Sequence, residues 1–264
     1  MTIIKIMEFI LDNDFQTHGS TTYPLEPTYY DKLMERDYPS ISYFFMSLFI
    51  YYCCYKFVDY IMRNNYDYNN LEQDRKNYFL KNIVKTIAMI FIALYGSTLL
   101  YQGIRENFWD NKMIYIVGYQ YSALDVLGLI MVKKLPINSK IHHISSFVLS
   151  VLNTFVDYSK PTFWIGLPIY CLLSCYAFFV NMYLGLRLIV APKNLKFILD
   201  SAYFSYMILL FFNWSFQVKV GYEHISTIGI TYDIVLYFCF ILFVAYDDIK
   251  LIQFLKYHRE KKED

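Results

Sequence analysis

Apolar residues in this chain gather into long runs, with neither the strict alternation of half-buried strands nor the narrow stripe of surface helices. A helix rising 1.5 Å per residue needs about 20 mostly apolar residues to cross a bilayer. Seven stretches approach that length: 41–62, 82–102, 113–132, 140–157, 161–187, 197–214 and 229–249. The pattern predicts an all-α, polytopic transmembrane helical bundle of about seven spanning helices. The fourth stretch is short and polar-spotted, and the third and sixth carry Asp125 and Asp200, so six spans is the alternative. Residues 1–40 form an N-terminal segment in which Pro24, Pro27 and Pro39 prevent one continuous helix. Its first 15 residues hold a short apolar patch with Glu8, Asp12 and Asp14, which suits a short amphipathic helix and not a signal peptide. Pro136 and Pro192 interrupt the later loops, Pro161 suits a first helical turn, and Pro168 is expected to kink the fifth span.

Composition supports a bilayer environment: 56% of residues are hydrophobic, 20% aromatic, and the mean hydropathy is positive. The net charge of +1 offers no basic field for nucleic acid. Where the charges lie matters more than their sum. With seven spans and a cytosolic C-terminus, sixteen Lys and Arg fall on the cytosolic side, among them Lys81, Lys85, Lys133, Lys134 and the run 256–262, against seven on the other. That asymmetry predicts a luminal or external N-terminus and a charged cytosolic tail over 251–264. The five cysteines all sit in apolar stretches, unlike a secreted disulfide framework. Cys171 and Cys175 share a helix face, but no His or third Cys completes a set around them, and no metal site is expected.

Ionisable groups inside a span are costly and mark candidate function. Asp125 in the third stretch and the pair His142 and His143 at the start of the fourth are joined by a seven-residue loop, so their helices are antiparallel neighbours and an Asp–His contact is within reach. A carboxylate that orients an imidazole makes it a general base or acyl carrier. The alternative is a pair of interfacial histidines capping the helix. Adjacent helical residues point about 100° apart, so one histidine is expected to face the core and the other the interface. Ser174 and Asn181, seven residues apart, Tyr119 and Asn153 are the further candidates for lining a lipid cavity. Local pairs explain the remaining acids: Asp200 with Lys196, Asp59 with Arg63 and Asp247 with Lys250. The sequon at Asn213 lies too close to a span for glycosylation. A retinal protein needs a Lys in its last span, and 230–246 has none; one His pair cannot supply the His boxes of a membrane desaturase.

The order of Gly118, Tyr119 and Asp125, a short basic loop, His142 and His143, then Phe179-Val180-Asn181 with Arg187 soon after, resembles the TLC domain shared by translocation-associated TRAM proteins, ceramide synthases and TLCD proteins. The resemblance covers about 80–250 and is closest to the TLCD branch. Ser174 and Phe178 stand where that branch tends to have Glu and Pro. It implies a TLC-like bundle preceded by one extra span, in an endoplasmic-reticulum-type membrane, that binds or senses sphingolipid or phospholipid. Membrane lipids are the implied partners and no cofactor is certain. A ceramide-synthase-like N-acyltransferase is the alternative, with acyl-CoA as substrate and His142, His143 and Asp125 as catalytic residues, although no second His/Asp signature follows His143. A TRAM-like translocation accessory role is a third.

Overall fold

The computed structural model describes residues 41–106 and 108–261; the expected N-terminal amphipathic helix and its prolines lie outside the described residues. The described residues form helices and connecting turns, without strands. They are α1 (Ser42–Met62), α2 (Tyr66–Asn69), α3 (Gln73–Arg105), α4 (Asn111–Met131), α5 (Ile137–Asn153), α6 (Gly166–Cys175), α7 (Phe178–Leu186), α8 (Lys196–Thr227) and α9 (Tyr232–Glu260). Short 3₁₀ turns at Phe163–Ile165 and Pro192–Leu195 lead into α6 and α8.

Local chemistry sets several of these boundaries. Asn65 and Asp110 cap α2 and α4, their side-chain oxygens accepting the amides of Tyr68 at 2.9 Å and Met113 at 3.1 Å. Pro136 stands at the α5 N-cap, where its missing amide costs no helical bond. Gly229, at φ +96°, ends α8 and turns the chain into α9, a conformation that residues with a Cβ rarely adopt.

Four helices are long and apolar enough to cross a membrane: α1, α3, α4 and α8 with its leading turn. A fifth is added if the bent pair α6–α7 counts as one span. The other two predicted stretches fall short for identifiable reasons. α5 has 17 residues, and α9 carries Asp233, Asp247, Asp248 and Lys250 among its apolar side chains. Phe49, Phe91, Phe211 and Leu242 are among many large apolar side chains that point outward, as helices compatible with a bilayer require.

The fifth stretch bends, but not where its proline predicts. Pro168 lies in the first turn of α6, where no intrahelical amide bond is lost. The axis turns by 46° between α6 and α7. There the amides of Tyr176, Ala177 and Val180 bond three residues back, to Leu173, Ser174 and Ala177, and this tighter winding breaks the α-helical ladder.

Neighbouring contacts close a ring in the order α3, α4, α5, α9, α8 and α6–α7, with α1 packed outside against α4 and α3. α1 buries little beyond Phe44, Ser47 and Tyr55. Two of the expected local ion pairs are replaced by tertiary ones. Asp200 accepts from Arg259 of α9 at 2.8 Å, not from Lys196, and Asp247 faces α5, not Lys250. Asp59 does pair with Arg63, at 3.2 Å. Asn213 is buried, so its sequon is inaccessible as folded.

Candidate functional site

Lys81 and Lys85 lie one turn apart on α3 and point into the ring, toward Asp125 of α4. Lys85 Nζ donates to Asp125 Oδ1 at 2.6 Å, with both side chains buried. His143 of α5 reaches the same oxygen from the other side, its Nδ1 at 3.0 Å. This is ion-pair distance, but the approach lies off the line of a hydrogen bond, and Nδ1 keeps no hydrogen-bond partner. Lys81 Nζ lies 3.3 Å from His143 Nε2. The stem of Lys81 runs across α4 at Gly128, where a Cβ would stand 2.9 Å from Lys81 Cε.

The two histidines divide between two helices, as their angular separation requires. His143 faces Asp125, whereas His142 faces α9, with Nδ1 3.4 Å from Asp247 Oδ2. Both are buried, and neither takes the interfacial position expected for one of them. The rings stand 85° apart with centroids 5.4 Å from one another. Asp247 also accepts from Asn138 at 3.0 Å. Its neighbour Asp248 turns inward and accepts from Tyr206 at 2.6 Å and Tyr170 at 2.9 Å.

These groups border a cavity of about 430 Å³ inside the ring. Lys81, Lys85, His142, His143, Asp247 and Asp248 line one part; Met89, Val180, Leu184, Leu251 and Phe254 supply apolar wall. Asp125 sits behind Lys85 and His143. Arg187, its guanidinium 4.6 Å from the centre of the Phe254 ring, and Tyr78 border both this cavity and a second one of about 500 Å³ that also includes Arg75, Lys134 and His258. At that outer cavity Glu72 holds the Lys134 amine protonated above its ordinary range.

Of the predicted site residues, the fold brings Asp125, His142, His143, Ser174 and Asn181 together. Ser174 and Asn181 meet the cavity from opposite sides of the α6–α7 bend, and Asn181 donates to Met89 Sδ at 3.2 Å. Tyr119 and Asn153 lie elsewhere. Tyr119 packs edge-on against Phe44 of α1, and Asn153 accepts from the Tyr158 hydroxyl beside a small apolar void of about 30 Å³ that shares Tyr121 and Tyr170 with the main cavity.

Sequence reasoning missed Lys81, Lys85, Asp247 and Asp248. Lys81 falls just before the second predicted span and Lys85 in its first turn, so both count as cytosolic charges in the sequence, although α3 starts nine residues before that span. Their i, i+4 spacing within an apolar run was the available signal. Asp125, His142 and His143 each offer a ligand-type atom within 4.8 Å of the others, although the sequence pattern predicts no metal site. Compared with models of known families, with curated proteins and with solved structures, the chain matches none.

Proposed function

We propose that this chain is a multi-pass membrane protein that takes the polar head of a membrane lipid into the cavity inside its helical ring. The observation that carries this reading is the convergence of Lys81, Lys85, Asp125, His142, His143 and Asp247 on one cavity with an apolar wall. Groups of this kind are expensive in a bilayer and persist where they meet a ligand, an ion or water. The apolar side chains on the same wall suit the upper part of an acyl chain.

In this reading α5 and α9 also cross, giving about seven spans in a TLC-like arrangement. At 1.5 Å per residue α5 is about 25 Å long against a hydrocarbon core of about 30 Å, a mismatch met by local thinning. Asp247 and Asp248 face the ring interior, not lipid, which removes the main objection to α9. Setting aside Lys81 and Lys85 as buried leaves the loop charges still weighted to one side. That supports a luminal N-terminus and cytosolic C-terminus in an endoplasmic-reticulum-type membrane, with a role in lipid homeostasis.

A second reading, acyl-CoA-dependent N-acyl transfer, is favoured by one contact: Asp125 against His143 Nδ1 leaves Nε2, beside the Lys81 amine, as the base. Lipid analysis of cells expressing wild type and His143→Ala separates the two. The binding reading expects lipid to co-purify with the wild-type chain and to fall with Lys85→Ala, without a new acylated product. A product made by wild type and lost in His143→Ala replaces binding with catalysis; no co-purifying lipid and no product sinks both.

A further inference from the structure

Among the described residues, six buried side-chain nitrogen or oxygen atoms have no hydrogen-bond partner. Three of them are Asp125 Oδ2, His142 Nδ1 and His143 Nδ1. Native folds leave few such atoms, and three gathered in one place call for a common partner. The same three residues each bring a ligand-type atom within 4.8 Å of the other two. We propose that Asp125, His142 and His143 bind one divalent ion of the zinc type, with an open coordination position toward the cavity.

The donor set fits that ion. Two imidazole nitrogens, which are borderline ligands, and one carboxylate oxygen, a hard one, make the mixed set that zinc takes at sites keeping a fourth position open. Zinc–nitrogen bonds of about 2.0–2.1 Å set how closely the three ligand atoms, which lie within 4.8 Å of one another, must gather. The histidines, being adjacent, approach from two directions across a corner, as their 85° interplanar angle records. Lys85 stays on Asp125 Oδ1 while Oδ2 ligates, and Asp247, whose Oδ2 lies 3.4 Å from His142 Nδ1, is placed to complete the set. Lys81 opposes binding: a charged amine 3.3 Å from His143 Nε2 repels the ion.

Ligation through His143 Nδ1 displaces the Asp125 contact and ends that imidazole's availability as a base. Metal content therefore also discriminates between the two readings of the cavity, while not depending on lipid being present.

The full-length chain, purified in nanodiscs after expression with zinc, is expected to carry about one zinc per chain by elemental analysis. Cobalt(II) in its place is expected to give the ligand-field bands of a low-coordinate site. His142→Ala and His143→Ala should each lose the metal. Lys81→Met should keep it and hold it more tightly in a chelator competition, an increase that a purely structural role for the cluster does not produce. Asp125→Asn also leaves Lys85 without its carboxylate, so Lys81→Met and the histidine variants carry the test if it fails to fold. Wild type without stoichiometric metal overturns the proposal. So does metal that remains in the His142→Ala/His143→Ala double variant, or a Lys81→Met chain that binds more weakly.

Discussion

Two buried polar networks lie toward opposite ends of the same helices, and they are built differently. Tyr237 precedes Asp247 by ten residues on α9, and Asn153 follows His143 by ten on α5, about 15 Å in each case. The network around Tyr237 is built of neutral groups. Gln217 donates to the Gly166 carbonyl at 2.7 Å and accepts from the Tyr237 hydroxyl at 2.5 Å, which ties α8, α6 and α9 together. The void beside Asn153 is small and apolar. At the other end the groups are ionisable, three atoms lack partners, and a cavity more than ten times larger adjoins them. A neutral network with its bonds made locks helices at little electrostatic cost. Buried charge left incomplete beside a cavity is where ligand chemistry belongs.

Substitutions that break each network should separate these roles. The largest loss is expected from Asp125→Leu, which strands the Lys85 ammonium in the ring. About 3–5 kcal/mol is the usual cost of removing one partner of a buried pair. The thermal midpoint in detergent should drop steeply, and adding Lys85→Met should recover most of it. A double variant as unstable as the single one would mean that the pair is not the coupled unit described here. Gln217→Leu comes next. It leaves the Gly166 carbonyl and Tyr237 hydroxyl without their partner, at about 1–3 kcal/mol. Lipid binding in the intact fold should be unchanged; if Gln217→Leu and Lys85→Ala reduce co-purified lipid equally, the contrast between the two ends fails. Arg259→Ala should do least. It removes a partly exposed pair with Asp200 between α8 and α9, worth at most about 1 kcal/mol after screening, along with stacking on Phe204. A midpoint shift as large as that of Asp125→Leu would show that the outer pair contributes as much to stability as the buried one.

Much of the helical layout was legible from apolar run length. α1 and α4 begin and end within two residues of the predicted stretches 41–62 and 113–132. Long polar extensions were not legible: α3 begins at Gln73 and α8 continues to Thr227, because hydropathy records the lipid-like part of a helix and not where its hydrogen bonds stop. The pairing of Asp125 with His143 could be read because a short loop forces adjacent helices together. Lys85 could not, since forty residues separate it from Asp125 and nothing local links them. Asp247 and Asp200 show the same limit. Each had a plausible partner on its own helix and took one on another, because a tertiary contact with less solvent around it outcompetes an exposed i, i+4 pair.

By itself the sequence determined that these residues form apolar helices. Runs of that length satisfy their backbone bonds internally, and this depends on local order alone. It also marked Asp125 and the His pair, since ionisable groups stand out against an apolar run. Only the tertiary structure decided that Lys81 and Lys85 face inward, that the fifth stretch bends at Tyr176 and not at Pro168, and that the two histidines answer to acids on different helices. Each of those outcomes depends on which helix lies alongside. Helix neighbours are chosen by the packing of whole faces, a sum over contacts distant in the chain that no single segment contains.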